Sequence, residues 1–321
     1  MFDHSVLNPM SPQALAISNL FVFLLIAAGA NLLGLVGTLA ITLPLYRHRK
    51  GRGDPPQTFG RVDMEIAWTS APFIILAIVF AVTVYTMILS HPSDDPPPAR
   101  AQASDLTVVG HQWWWEFRYP NGLVTANEPH IPLHKRMLVS LKSTDVIHSF
   151  WVPQLNGKMD LVPGQTNHMW LQADKADNYF GNCVEFCGTG HTWMLLHVVA
   201  QPPAQFAAWE RAQLQPAKPP TSPLGLQGLG VYTARTCYVC HNISGLVPLQ
   251  YRGSSSVLVA PDLTHFASRT TLGAGRLTNK PANVALWLRN PDAVKPGVHM
   301  PNLQLTSSEI KALTAFLESL K

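Results

Sequence analysis

Two long apolar runs stand at the front of the chain, and a shorter alternation takes over behind them. From His4 to Tyr46 there is no Asp, Glu, Lys or Arg. Within that stretch Ile17 to Tyr46 is apolar enough to span a bilayer, which takes about twenty residues. Ile66 to Leu89 is a second such run. Both exceed a buried core helix or the apolar part of a secretory signal. No basic segment precedes the first, so no cleaved leader is evident. The pattern predicts a membrane α-helical hairpin. Arg47, Arg49, Lys50 and Arg52 lie between the runs, and the positive-inside rule assigns that loop to the cytoplasm and both termini to the outer side.

Beyond a proline-rich connector (Pro92 to Pro98) the period shortens to two. Leu106 to Tyr119 is rich in β-formers, and Arg136 to Leu141 and His168 to Gln172 alternate apolar with polar. Asn121-Gly122, Pro132 and Pro163-Gly164 punctuate them. This predicts an all-β sandwich over 92–201. In a strand Trp113 and Trp115 share one face and Trp114 takes the other, which leaves an indole for the surface. Pro203 to Leu214 reads as a short helix with proline in its first turn, Phe206 and Trp209 packing back on the sandwich. Gln215 to Pro223 carries four prolines among nine residues and reads as a semi-rigid tether, closing a linker over 202–223. A small all-α domain follows over 224–321. Gly230 to Tyr232 suggests its first helix, and Ile310, Leu313, Phe316 and Leu317 its amphipathic last one. Residues 1–91 make up the N-terminal segment with its two spans.

Composition then narrows the function. The chain has 321 residues, 13% of them charged, and a net charge of +4, which speaks against a nucleic-acid partner and against a disordered tail. Its four cysteines fall in two pairs. The first pair lies in Cys183-Val-Glu-Phe-Cys187-Gly-Thr-Gly-His191-Thr-Trp-Met194, with His148 well upstream. Two cysteines outside the cytoplasm most often form a disulfide, and a Cys/His group most often holds structural zinc. Zinc seldom recruits methionine, whereas thiolate, thioether and imidazole together suit copper. Two thiolates at this spacing can bridge two copper ions that share one electron.

The second pair forms Cys237-Tyr-Val-Cys240-His241, the attachment pattern for c-type haem, in which the thiols form thioethers and the histidine binds iron. Met300, directly before Pro301, is the only methionine beyond Met194 and the candidate distal ligand, with His265 and His299 as competitors. His/Met ligation fills both axial positions and raises the reduction potential, so such a haem passes electrons.

With these motifs in place, the chain resembles subunit II of bacterial cytochrome c oxidases with a fused cytochrome c, over nearly its whole length. The resemblance implies a cupredoxin-like sandwich with a dinuclear copper A centre. Its ligands would be His148, Cys183, the Glu185 carbonyl, Cys187, His191 and Met194, and the Glu185 side chain would face a magnesium ion shared with the large subunit. By the same resemblance Trp113, in Gly110-His-Gln-Trp113, receives electrons from an outside donor, Asp145 lies near the docking surface, and Pro261 holds the proximal histidine through its carbonyl. Glu65, just before Trp68-Thr69, matches an acid at the mouth of a proton channel; otherwise an acid there is a solvated helix end. The implied partners are the catalytic haem-copper subunit I, further oxidase subunits, cytochrome c or another external donor, and the bacterial inner membrane. Oxygen reduction and proton pumping fall to the partner, because neither apolar run contains a histidine. Two other readings share these motifs: the electron-input subunit of a nitric oxide reductase, and a membrane-tethered electron carrier or copper-handling protein without an oxidase partner.

Overall fold

The computed structural model describes residues 5–47, 50–51, 53, 60–90, 104–247 and 260–321. The Pro92 to Pro98 connector lies outside the described residues, as do Arg49 and Arg52 of the basic loop. The chain forms two compact units, Leu15–Ser93 and Met1–Ala14 with Asp94–Lys321.

The first unit consists of helices α1 (Pro12–Tyr46) and α2 (Val62–Ser90). Leu25, Leu33, Phe73 and Phe80 are exposed on them, and both helices are long and apolar enough to cross a membrane. In water such surface costs about 25 cal/mol per Å². A bilayer removes that cost, and a helix satisfies its own backbone there.

In the second unit two five-stranded sheets form a sandwich. One runs in the order β3 (Val124–Ala126), β2 (Trp114–Arg118), β1 (Leu106–His111), β5 (Met137–Ser143), β8 (Asn167–Leu171). The other runs β4 (His130–Pro132), β10 (Leu195–Gln201), β9 (Asp177–Cys183), β6 (His148–Trp151), β7 (Met159–Leu161). Trp115, Phe117, Phe150, Leu161, Tyr179, Leu196 and Val198 fill the core, with Trp115 edge-on to Phe150 at 5.6 Å between ring centroids. The run from Leu106 to Tyr119, expected as one strand, is two: it turns at Gln112–Trp113, and β1 and β2 pair antiparallel with His111 opposite Trp114. Trp113 therefore sits in a turn. All three tryptophans are buried, so the expected surface indole is absent from this run; the C-terminal domain covers it.

Helix α3 (Pro203–Gln213) packs on the sandwich as its spacing predicts. Trp209 stacks on the His130 ring at 4.0 Å and lies 5.7 Å from Tyr119. Tyr119 clamps the same residue, its hydroxyl donating to the His130 carbonyl at 2.7 Å and accepting the His130 N–H at 2.9 Å. The proline-rich segment that follows, expected as a semi-rigid tether, is anchored on the C-terminal domain. Ala217 is buried in the C-terminal core, its N–H donates to the Ser244 carbonyl at 2.8 Å, and His265 Nε2 donates to the Gln215 carbonyl at 2.9 Å.

The C-terminal domain holds α4 (Pro223–Ala234), α5 (Pro281–Arg289), α6 (Pro291–Val294) and α7 (Ser307–Leu317). A capping box between Thr306 and Glu309 starts α7. Ile310, Leu313, Phe316 and Leu317 are buried, the face their spacing predicts. One element breaks the all-α expectation: a hairpin of β11 (Thr271–Leu272) and β12 (Leu277–Thr278), whose tip is Gly273, Ala274 and Gly275 at positive φ.

Candidate functional site

The donors expected at copper converge at one end of the sandwich. His148 starts β6 and Cys183 ends β9, paired strands that bring the two side chains to one edge. The chain then folds through a glycine-punctuated loop into a 3-10 turn (His191–Trp193) before β10. Cys183 Sγ lies 3.8 Å from Cys187 Sγ, 3.9 Å from His148 Nδ1 and 3.2 Å from the Glu185 carbonyl oxygen. Cys187 Sγ lies 3.6 Å from His191 Nδ1 and 3.9 Å from Met194 Sδ. All six predicted donors thus meet. Cys183, Cys187, His148 and Met194 are buried, while Glu185 and His191 are half-buried. Both cysteines are free thiols, so the disulfide reading is not what this geometry displays.

The thiols cannot both ionise unaided. Cys183 is held well below the ordinary thiol range because its sulfur accepts from the Cys187 thiol, against the effect of burial and with help from His148. Cys187 is pushed well above it by Cys183 and by burial. Two thiolates at this separation repel by about 4 kcal/mol at an effective dielectric near 20. A cation coordinated by both relieves that repulsion, which is the chemistry of a thiolate metal site. With imidazole and thioether beside them the donors fit soft copper.

A surrounding layer holds the donors. Asp145 Oδ1 lies 2.8 Å from His148 Nε2, so the Nδ1 lone pair is left facing the thiolates. Burial raises the Asp145 carboxyl, but hydrogen bonds from His148, Val146 and Gln112 outweigh it and hold the group low. From the turn between β1 and β2, Trp113 Nε1 and Gln112 Nε2 both donate to the Cys187 carbonyl, at 2.9 and 2.7 Å. The Trp113 ring lies so close to Gly190 that a Cβ there would meet it at 2.5 Å. The sequence singled out Asp145 and Trp113 by resemblance; it did not show that Asp145 orients a donor, nor that Gln112 braces the loop.

The second site is in the C-terminal domain. Thr236, at positive φ, leads into a 3-10 turn over Cys237–Val239, and His241 N–H donates to the Cys237 carbonyl at 3.0 Å. Burial pushes the Cys237 thiol up to about 11, whereas Cys240 is exposed. His241 Nδ1 lies 2.8 Å from the Pro261 carbonyl. A carbonyl only accepts, so Nδ1 carries the proton and Nε2 is the nitrogen free to bind iron. Trp287 Nε1 donates to Met300 Sδ at 3.1 Å. Met300 packs on the domain core with half-buried Tyr238, Leu246, Leu263, Phe266 and Leu305, an apolar set suited to a porphyrin. The competing histidines are engaged elsewhere: His265 on the Gln215 carbonyl, and His299 against Trp113, ring centroids 4.9 Å apart. Glu65 lies exposed in the first turn of α2.

The two sites share one compact unit, and their domains touch. The buried Lys295 ammonium donates to the Trp113 carbonyl. Buried Glu128 accepts the backbone N–H groups of Thr270 and Thr271, at 2.8 and 2.6 Å, and both hydroxyls. Leu195 N–H donates to the Ala274 carbonyl at 3.1 Å, and the Arg276 guanidinium lies 4.1 Å over the Trp193 ring. At Gly297 a Cβ would meet Thr189 at 2.9 Å. None of Lys295, Glu128 or the hairpin carries a local pattern that sequence reading could have found.

Comparison with known proteins agrees with this division. The family model described as cytochrome C oxidase subunit II, periplasmic domain, matches residues 121–201, and that described as cytochrome c matches residues 226–321. Together they point to copper and haem c. The cytochrome c oxidase subunit 2 of Alkalihalophilus pseudofirmus is 33% identical over 320 residues, covering 99% of this chain and 91% of its own length. That of a Bacillus species is 36% identical over 293 residues, covering 86% and 80%. The periplasmic domain of subunit II of a cytochrome oxidase from Bradyrhizobium japonicum is 29% identical, covering 34% of this chain and 94% of its own, with a TM-score of 0.33. By a similarity that runs along essentially its entire length, this membrane-anchored chain belongs to the cytochrome c oxidase subunit 2 family.

Proposed function

We propose that the chain is the electron-input subunit of a cytochrome c oxidase, set in the inner membrane of a bacterium with both termini and both redox domains on the outer face. The observation that carries the reading is the convergence of two cysteine sulfurs, two imidazoles, a thioether and a carbonyl at one end of the sandwich, in a chain that also holds a haem attachment motif. Bound, a dinuclear copper A centre and a haem c supply one-electron carriers, between an outside donor such as a cytochrome c and a haem-copper subunit I that reduces oxygen.

The chain's own residues do the rest. Cys183 and Cys187, with His148, His191, Met194 and the Glu185 carbonyl, would hold the copper. Trp113 and Gln112 pin the Cys187 backbone, and Asp145 fixes the His148 ring, so the donors have little freedom to shift when the charge changes. That stiffness suits electron transfer, where rearrangement on reduction is a cost. Cys237 and Cys240 would hold haem c covalently, and His241 and Met300 would be its iron ligands. The Glu185 side chain would contribute to a magnesium site shared with the partner, and Glu65 would stand at a proton channel mouth; Glu65→Ala should slow proton-coupled turnover and leave both metal spectra intact.

Electron paramagnetic resonance on the oxidised, fully metallated protein tests the central point. One unpaired electron shared by two copper nuclei gives seven hyperfine lines, and one nucleus gives four. Seven lines support the reading; four lines, or silence, overturn it in favour of a copper-handling protein or a simple carrier. The reaction catalysed by the co-purified large subunit separates an oxygen reductase from a nitric oxide reductase.

A further inference from the structure

Lys295 is 2% exposed and lies at the contact between the two redox domains. Its acceptors are backbone carbonyls, Trp113 in the copper domain and Gly273 at 3.4 Å in its own. Among the described residues none of the ion pairs involves it. Burying a cation against neutral dipoles is costly, and burial pulls this ammonium down to about 7. An apolar residue of the same length would fill the space without that cost. What the ammonium adds is direction, because it is satisfied in one placement of one domain on the other.

A second contact between the same two domains repeats the device with the charge reversed. Glu128, 3% exposed, belongs to the copper domain and takes its donors from Thr270 and Thr271 of the other domain. At the same domain contact His299, the chain neighbour of Met300, meets the Trp113 ring, and the Trp113 indole is bonded to the Cys187 carbonyl. A continuous line of contacts thus runs from the distal haem ligand to the copper ligand loop. It passes through the residue whose carbonyl Lys295 holds.

We propose that Lys295 is a positioning residue for electron transfer within the chain: seated on the Trp113 carbonyl, it holds the haem domain in one register, with His299 against the Trp113 indole. This rests on the function proposed above. Lys295 exchanges no electron and no proton in this role; it sets the path and not the driving force. Trp113 is then an internal bridge already covered by the chain's own domain, and an outside donor delivers to the haem.

Three backbone amides report docking directly, because Leu195, Thr270 and Thr271 donate to acceptors in the opposite domain. In the complete metallated oxidase Lys295→Met should speed hydrogen exchange at these amides at least tenfold. The Val199 amide, bonded to the Pro129 carbonyl within the copper domain, should be unchanged. The same variant should slow haem-to-copper transfer after flash reduction at least tenfold, with the haem potential and both metal spectra as in the parent. Glu128→Gln, acting from the copper side, should show the same pairing of effects. Faster exchange with unchanged transfer, slower transfer with unchanged exchange, or no change in either overturns the proposal. A parent protein without the shared-electron copper signal would overturn the proposed function, and the exchange data would still show whether Lys295 holds the domains together.

Discussion

The copper and haem regions of this chain solve one problem, holding a redox centre, in opposite ways. In the copper domain the donors are pre-set. Strands β6 and β9 place His148 and Cys183, and bonds from Gln112, Trp113 and Asp145 fix what surrounds them. The sandwich core beneath is complete, with Trp115, Phe117 and Phe150 fully buried. In the haem domain much of the apolar interior, Met300 and Phe266 included, is only half-buried against the core. There a haem c would be a structural member, and attachment through Cys237 and Cys240 would compensate for a lighter scaffold. A bare metal ion brings no surface of its own, so the protein must supply all the geometry; a porphyrin brings its own apolar faces.

Paired cysteine substitutions would break or sharpen that contrast. Cys187→Ser should abolish the shared-electron copper signal completely, since one thiolate cannot bridge two ions, and leave the haem absorption unchanged. Cys240→Ser should leave haem attached through Cys237 alone, in reduced yield, with the copper signal intact. Haem stain after denaturing electrophoresis, read beside the copper spectrum, checks both; equal tolerance of the two changes would remove the distinction. Asp145→Asn is expected to weaken copper binding roughly 10–100-fold, the usual cost of losing a carboxylate behind a ligating histidine. Competition with a copper chelator measures it, and unchanged affinity would show that the strands alone orient His148.

The smallest effect lies away from both sites. Burial lowers the His130 ring to about 4, below its ordinary value near 6.5. A histidine depressed in this way contributes stability above its unfolded value, and that contribution is lost as pH falls from about 6.5 towards 4, where the unfolded chain binds the extra proton. Since His130 stacks on Trp209, mild acid should loosen α3 from the sandwich before either spectrum changes. Trp209→Phe should keep the acid slope, and His130→Phe should flatten it in thermal unfolding followed against pH.

What could be read in advance follows from how local each signal is. Cys183, Cys187, His191 and Met194 lie in one short run, and Cys237, Cys240 and His241 in another, so their spacing exposed them, while the Glu185 carbonyl entered only by resemblance. Ile310 to Leu317 was legible because a helix repeats its buried face every three or four positions. Two features misled. Trp113 reads as a strand residue because its neighbours are β-formers, yet the turn that places it on the Cys187 carbonyl is set by contacts more than seventy residues away. The prolines after Gln215 read as a semi-rigid tether, yet Ala217 among them is buried in the haem domain. Lys295 and Glu128 have no neighbours that mark them, and their role exists only once two domains meet.

Gly297 bears on how such a chain can change over time. Its missing side chain lets the haem domain's backbone rest directly on Thr189, in a left-handed conformation with φ of +83°. Any replacement would meet both a crowded neighbour and an unfavourable backbone, and would press the redox domains apart at this contact. The spacing between two electron carriers is guarded here by the absence of a single carbon atom, which no gradual enlargement can explore.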